Sequence, residues 1–170
     1  MGRKDLSEKL LLDYNDVFAD VCNGLIFRKP GWIKPRKLHA YPTETLGIFN
    51  GGIKQGIRDV VKRYKDCNMC FLVGIENQSV PDYNMISRIM MYDALSYSAQ
   101  TRNARKKKGR KRDKKYLPVI SCVLYFGYQK RWKGPKTLYE CNYSALILTL
   151  FVICVSAQNL SITATGRRVS

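Results

Sequence analysis

The sequence predicts a single α/β domain with a mixed sheet flanked by helices. The chain of 170 residues is long enough for one hydrophobic core, and its 45% of apolar residues is typical of globular proteins. Apolar residues at helical spacing predict helices over 5–27 and 84–101. Continuous apolar runs predict buried strands over 71–75 and 117–126. The predicted order is helix, strand, hairpin, helix, strand.

The first predicted helix has an apolar face, which consists of Leu10, Tyr14, Val17, Phe18, Val21 and Leu25. It also has an acidic stripe formed by Asp13, Asp16 and Asp20. Such a stripe is usually a solvated face; the alternative is that Asp16 points into an active site. Prolines and glycines interrupt residues 28–56, which therefore predict a loop with at most one short strand. Pro81 and Asp82 predict the stop and the N-cap that precede the second helix.

A predicted hairpin brings two acidic residues together. With a loop centred between Cys67 and Asn68 and no bulge, Asp59 lies directly opposite Glu76. Their side chains are then roughly 5 Å apart on one face. Gln78 shares that face, because side chains two residues apart on a strand point the same way. Two carboxylates at that separation repel each other unless a cation or a shared proton lies between them.

Two interpretations of this pair are open. In one, the carboxylates turn outward to meet Arg58, Lys62 or Arg63. In the other, the pair binds a hard cation, because Mg²⁺ prefers oxygen ligands and is typically held by one or two carboxylates plus a substrate phosphate. Such an ion polarises a phosphoryl oxygen and supplies hydroxide at neutral pH. In a chain with 13 acidic residues and a net charge of +17, a close pair of carboxylates needs an explanation of this kind.

The same residues resemble a known family. An Asp, a turn, an apolar strand and a Glu-x-Gln are similar to the core of PD-(D/E)XK nucleases. More narrowly, Gly-Ile-Glu-Asn-Gln-Ser at 74–79, the helix with Arg88 and Tyr92-Asp93, and the strand over 117–127 followed by Trp132 resemble the recombination-promoting nuclease family, whose members are often labelled putative transposases. The resemblance extends from about residue 5 to about residue 140 and depends on the order and spacing of these pieces.

The resemblance implies a restriction-endonuclease-like core in which Asp59 and Glu76 bind Mg²⁺ and form the catalytic site together with Gln78. Gln78 stands where many relatives in the wider superfamily carry Lys. A glutamine can orient the attacking water, but it is uncharged and cannot act as an acid or base near neutral pH. The implied activity is cytoplasmic, metal-dependent endonucleolytic cleavage of DNA connected with recombination or mobile elements.

The segment 102–115 holds ten Lys or Arg residues against one acid, Asp113. Such a dense run of like charge repels itself and stays extended, and phosphate backbones attract it without sequence preference. A solubilising insertion is the alternative to DNA binding. No aromatic residues are interleaved within 102–115, so stacking on bases is not indicated. The residues expected to contact DNA are Arg105, Lys106, Lys107, Lys108, Arg110, Lys111 and Arg112.

The last part of the chain, 141–170, differs from residues 1–140, which form the predicted nuclease-like domain. Residues 141–166 contain no charged side chain, and 145–157 is a mostly apolar run. This run is short for a membrane-spanning helix, which needs about 20 apolar residues. It is a buried element of the core, an anchor, or the product of a frameshift or truncation near Asn142. In the frameshift case we expect the segment to pack poorly and to lower the solubility and activity of the chain.

Composition also bears on other classes of function. Charged residues interrupt the first twenty positions, which argues against a secretory signal, and the six cysteines read as reduced thiols. Cys67 and Cys70 form a C-x-x-C without the second pair that a zinc site needs, and His39 has no partner motif. DNA is the expected partner, with no obligate protein partner. Two alternatives are a catalytically inactive nucleic-acid-binding protein and a small membrane-associated protein with its basic segment on anionic lipid.

Overall fold

The computed structural model describes residues 3–49, 52–67, 69–106, 115–135, 140 and 152–156. Its helical elements are α1 (Arg3–Asp13), α2 (Asn15–Val21), a π-helical turn (Cys22–Ile26), a 3₁₀ turn (Pro35–Lys37) and α3 (Met85–Lys106). Its strands are β1 (Leu38–Ala40), β2 (Glu44–Phe49), β3 (Gly52–Ile57), β4 (Val60–Asp66), β5 (Met69–Gln78), β6 (Val119–Tyr125) and β7 (Val152–Ser156).

The main sheet is mixed, as predicted, and its strands are in the order β1-β4-β5-β6-β7. Strands β1, β4 and β5 are antiparallel, whereas β5, β6 and β7 run parallel. The hairpin of β4 and β5 pairs Val60 with Ile75 and Asp66 with Met69. This is the predicted register, so the position of the turn was sufficient to define it.

The two faces of this sheet have separate hydrophobic cores. One face packs against α1, α2 and the π-helical turn through residues that include Phe18, Tyr64, Phe71, Val73 and Ile75. The other face packs against α3, and its buried residues are Met85, Ile86, Ile89, Val123, Tyr125 and Trp132. Even-numbered residues of β5 face α3, because successive side chains of a strand alternate between faces. Glu76 therefore lies on the α3 side.

The prediction of one helix over 5–27 was wrong at Tyr14, which has extended backbone (φ −72°, ψ 129°) and separates α1 from α2. Leu10 and Tyr14, which were predicted to face the core, are 54% and 64% exposed. The break has a tertiary cause: the buried Lys62 donates hydrogen bonds to the Asp13 carbonyl and to Asn15 Oδ1. Asp16 is exposed, and its negative charge raises the pKa of Lys62. Lys62 lies on the opposite face of β4 and β5 from Glu76.

The prediction of loop over 28–56 was also wrong, because this stretch contains β1 and a second, two-stranded sheet of β2 and β3. The missed signal is Asn50-Gly51, the dipeptide most typical of two-residue hairpin loops, between the paired residues Phe49 and Gly52. This hairpin lies close against α3. A Cβ added at Gly56 would be 2.6 Å from Leu95 Cδ1, so glycine allows the close approach.

Helix α3 begins as the sequence predicts and ends later. Asp82 Oδ1 accepts the N–H of Asn84 at 2.9 Å in the turn that leads into the helix at Met85, so Asp82 precedes the helix but lies two residues before the N-cap position. The helix continues to Lys106, so the first residues of the basic segment are helical and do not belong to a loop. Residues 107–114 lie outside the described part of the chain.

Part of the apolar tail belongs to the main sheet. The backbone of β7 pairs in parallel with Ser121–Tyr125 of β6. For these five residues, a strand of the sheet is the interpretation that the structure supports. The rest of 141–170 lies outside the described residues. Within the described ranges, no helix has both the length and the apolar character needed to cross a bilayer.

Candidate functional site

Asp59 and Glu76 meet at the open end of the β4–β5 hairpin. Asp59 directly precedes β4, and its Oδ2 accepts the N–H of Asn77 at 2.9 Å, so its carboxylate reaches across to β5. Glu76 lies near the end of β5 and is only 3% exposed beneath α3. The ladder ends one pair earlier, at Val60 and Ile75, so Asp59 and Glu76 are not a ladder pair, but the negative charge of Asp59 acts on Glu76.

Arg58 occupies the centre of this site and is only 1% exposed. Its Nε donates to Glu76 Oε1 at 3.2 Å, and its Nη1 donates to Asp93 Oδ1 at 3.3 Å. Its Nη2 donates to Ser121 Oγ, and Ser121 in turn donates to Asp93 Oδ1 at 2.6 Å. Glu76 thus meets Arg58, as one interpretation of the sequence proposed, but it does so in the protein interior and not at the surface.

The space for this buried guanidinium comes from a glycine in β5. A Cβ added at Gly74 would lie 2.5 Å from Arg58 Cζ, so any side chain there would collide with the arginine. The Tyr92 ring covers the guanidinium, with Cζ of Arg58 5.6 Å from the ring centroid. This contact is a cation–π interaction, and it leaves Tyr92 with a packing role on α3.

The electrostatics of the site favour an extra positive charge. Burial raises the pKa of Glu76 to about 7, against the opposing effect of Arg58, and the negative charge of Asp59 adds to the shift. Burial also raises the pKa of Asp93, although hydrogen bonds from Ser121 and Arg58 oppose it. With all three carboxyl groups ionised, Arg58 alone does not balance their charge, and Arg88, which also lowers the pKa of Glu76, is paired with Asp82. The cluster therefore takes up a proton near neutral pH or binds a cation.

Gln78 lies at the end of β5 with both ends of its amide group in hydrogen bonds. Its Oε1 accepts from Arg88 Nη2 at 3.0 Å, and its Nε2 donates to the Val80 carbonyl at 2.9 Å. Arg88 Nη1 also pairs with Asp82 Oδ2 at 2.9 Å. Each end of the amide keeps one further site, a second N–H on Nε2 and a second lone pair on Oε1, with which Gln78 can orient a water molecule.

Sequence reasoning missed the roles of Arg58, Asp93 and Ser121. For Asp93 a signal was present, since Ile86, Ile89 and Asp93 follow one another at helical spacing on the face of α3 that packs against the sheet. A carboxyl group on such a face needs a buried partner. No local pattern identified Arg58 as that partner, because the contact joins residues 35 positions apart.

The fit of Mg²⁺ to this site can be judged from its donors. Among the described residues, no group of three or more His, Cys, Asp or Glu side chains is arranged to hold a metal ion. Asp59 and Glu76 supply two carboxylates. Mg²⁺ usually keeps several water ligands and binds one or two carboxylates plus a phosphate, so two carboxylates are a sufficient number. The donor chemistry therefore fits Mg²⁺, provided that Glu76 is ionised.

Most residues expected to contact DNA lie beyond the described part of the chain. Arg105 and Lys106 belong to the last turn of α3, while Lys107, Lys108, Arg110, Lys111 and Arg112 fall outside the described residues. Arg102, at the start of the basic segment, donates to the Leu46 carbonyl and so attaches the β2–β3 hairpin to α3. Gln100 bonds the N–H and the carbonyl of Leu117, which is a packing role.

No family model, curated protein or solved structure matches this chain, so the case for a function rests on the residues of the site.

Proposed function

We propose that this chain is a Mg²⁺-dependent DNA endonuclease, associated with recombination or mobile elements, and that its sheet is a restriction-endonuclease-like core. The order of its main elements supports the proposal: helices, β1, the β4–β5 hairpin, α3 and the parallel strand β6. The order agrees with the core that the sequence resemblance implies. The β2–β3 hairpin and β7 are additional elements.

The observation that carries the proposal is the charge of the cluster around Asp59 and Glu76. Glu76 and Asp93 contact Arg58, and the pKa of Glu76 is raised to about 7 by burial and by the charge of Asp59. At a pKa of about 7, an additional cation favours the ionised form of Glu76 near neutral pH. A divalent ion bound at Asp59 and Glu76 supplies the missing charge, so metal binding and deprotonation of Glu76 are coupled.

In the proposed mechanism, Asp59 and Glu76 would hold Mg²⁺, which when bound polarises a phosphoryl oxygen and supplies hydroxide at neutral pH. Arg58 orients the Glu76 carboxylate, and Asp93 and Ser121 hold Arg58 in position. The Asn77 N–H restrains Asp59. These contacts keep both carboxylates in a defined geometry before a substrate arrives.

A second candidate is a nucleic-acid-binding protein without catalytic activity. It is favoured by the hydrogen bond that already engages Glu76 Oε1 with Arg58 and by the two bonds that engage the Gln78 amide. A protein of this kind retains the basic segment and binds DNA, but it does not require ionised Asp59 or Glu76.

The test compares Asp59→Asn and Glu76→Gln with the wild-type chain in nicking of supercoiled plasmid, with Mg²⁺ and with EDTA. Each substitution is expected to abolish Mg²⁺-dependent nicking and to preserve a cooperative unfolding transition. Asp66→Asn is the matched control, because Asp66 is a carboxylate at the other end of β4, paired with Lys34 and Lys37. Nicking retained in either site variant rules out the proposed metal site.

A further inference from the structure

Arg88 is the accessible arginine next to the carboxylate pair. It lies in the first turn of α3, and 34% of its side chain is exposed. The other arginine that acts on Glu76 is Arg58, which is buried and committed to Glu76, Asp93 and Ser121. A ligand that approaches the site from solvent therefore reaches Arg88 and cannot reach the Arg58 guanidinium.

The charge of Arg88 acts on the site itself. It lowers the pKa of Glu76 and that of Tyr92, in opposition to the effect of burial on both groups. Arg88 Nη2 also donates to Gln78 Oε1, which joins the arginine to the uncharged residue at the end of β5. The positive charge that Gln78 lacks is thus supplied at the same place by Arg88.

The guanidinium retains donors for a ligand. Nη1 donates to Asp82 and Nη2 donates to Gln78, and each of these nitrogens carries a second N–H. The Nε–H is buried and has no acceptor among the described residues. The donors open to a ligand from solvent are therefore the second N–H groups of Nη1 and Nη2, which suit a group that brings two acceptor oxygens together. A phosphate offers such oxygens in the geometry that the arginine fork matches.

Asp82 positions this arginine and also competes for it. Its Oδ1 accepts the Asn84 N–H in the turn before α3, and its Oδ2 holds Arg88 Nη1. The ion pair is partly exposed, with 25% of the Asp82 side chain accessible, so it is weak enough to be exchanged for a stronger ligand.

We propose that Arg88 binds a phosphodiester group of the DNA strand at the Asp59–Glu76 site, and that Asp82 holds Arg88 in place until the strand arrives. The identity of the ligand rests on the proposed function. The contact itself requires neither metal nor hydrolysis, so it can be measured without them.

The experiment measures binding of a labelled duplex of arbitrary sequence by fluorescence anisotropy in EDTA, over a series of salt concentrations. Arg88→Met is expected to weaken binding by about tenfold and to reduce the slope of log K against log salt by about 1, as loss of one phosphate contact does. Arg88→Lys retains the charge without the fork and is expected to recover part of the loss. The matched control is Arg36→Met, which removes an exposed arginine from the 3₁₀ turn.

Asp82→Asn separates a ligand role from a structural one. Asparagine retains the Oδ1 acceptor for the Asn84 N–H but removes the negative charge that competes for Arg88. Binding of the duplex is therefore expected to tighten by about two- to fivefold. If Arg88 is only a structural partner of Asp82, both substitutions lower the melting temperature and leave the affinity within twofold of Arg36→Met; that result overturns the inference. If Arg88→Met folds poorly, the affinities of Arg88→Lys and Asp82→Asn decide whether Arg88 contacts the DNA.

Plasmid nicking with Mg²⁺, measured on the same proteins, distinguishes the two possible failures. A wild-type chain that does not nick DNA but loses affinity on Arg88→Met contradicts the proposed function and keeps the phosphate contact. A chain that nicks DNA but whose affinity and KM are unchanged by Arg88→Met contradicts the phosphate contact and keeps the proposed function.

Discussion

At the scale of single residues, the protonation of Glu76 is the property on which the site depends. Its carboxyl group is ionised in water near neutral pH, but burial beneath α3 and the nearby Asp59 raise its pKa to about 7. Arg58 alone does not reverse this effect. A group with such a pKa changes charge within the physiological range, so its state responds to a bound cation.

The raised pKa predicts how stability depends on pH. The pKa of Glu76 is about 7 in the folded chain, whereas it is 4.5 for a glutamate outside the folded structure. The folded state therefore binds the proton more tightly than the unfolded chain does. The resulting stabilisation is complete below the unfolded pKa and is lost as pH rises through about 7. We expect the free energy of unfolding of the wild type, relative to Glu76→Gln, to fall between about pH 5 and pH 8. Urea titrations at several pH values measure this difference.

The control for this prediction is Asp66→Asn. Hydrogen bonds from Lys37 and Lys34 lower the pKa of Asp66 to about 2, so its stabilising effect is lost only as pH falls through that value. Its substitution should not change the slope between about pH 5 and pH 8. Parallel pH profiles for the wild type and Glu76→Gln would show that Glu76 is ionised throughout this range.

The residue scale also separates what local pattern can predict from what it cannot. The position of Asp59 and Glu76 at the open end of the hairpin could be predicted, because hairpin register is a local property of β4, β5 and their turn. The partners of Arg58 were not predicted, because Asp93 and Ser121 are 35 and 63 residues away in sequence. Gln78 was predicted on the correct strand end, but its hydrogen bonds to Arg88 and Val80 depend on how α3 packs.

At the scale of elements, the break between α1 and α2 shows how a tertiary contact overrides helical periodicity. The sequence around Tyr14 has a continuous helical pattern, yet the chain is extended there. Lys62 Nζ binds the carbonyl at the end of α1 and the Asn15 side chain at the start of α2. The lysine reaches both from β4, where it is buried beside the Phe18 ring.

This contact predicts an effect on stability. Lys62→Met retains a long side chain but removes the ammonium group, so the Asp13 carbonyl and Asn15 Oδ1 lose their donor. This loss should lower the free energy of unfolding by about 1–3 kcal/mol. Lys65→Met is the control, because Lys65 is exposed on the same strand; it should change stability by less than about 0.5 kcal/mol. Urea denaturation measures both. Equal stabilities would mean that Lys62 does not hold the helix break.

At the scale of the whole molecule, charge is strongly segregated. Glu76 and Asp93 are buried between the sheet and α3, whereas ten basic residues are concentrated at 102–115, beginning at the end of the same helix. Under the proposed function, the basic segment binds the DNA backbone and the carboxylate site acts on a phosphodiester. The basic segment would then contribute affinity and not sequence preference.

We therefore predict the effect of removing the basic charge. Replacing Lys106, Lys107, Lys108, Arg110, Lys111 and Arg112 with Ser should weaken duplex binding equally for unrelated sequences. The slope of log K against log salt should become shallower by about 0.9 for each phosphate contact that is lost. A variant in which Lys and Arg are exchanged at these positions keeps the charge and should keep the affinity. An unchanged salt slope after removal of the six charges would show that the segment does not contact DNA.

The sequence by itself determined the mixed α/β character, the register of the β4–β5 hairpin, the start of α3 and the buried strand β6. These features follow from apolar periodicity, turn chemistry and capping, which involve residues close together in the chain. Only the tertiary structure decided the burial of Arg58 against Glu76, the helix break at Lys62, and the parallel pairing of β7 with β6. These depend on long-range contacts, in which buried charge and unpaired backbone must find partners that no local pattern specifies.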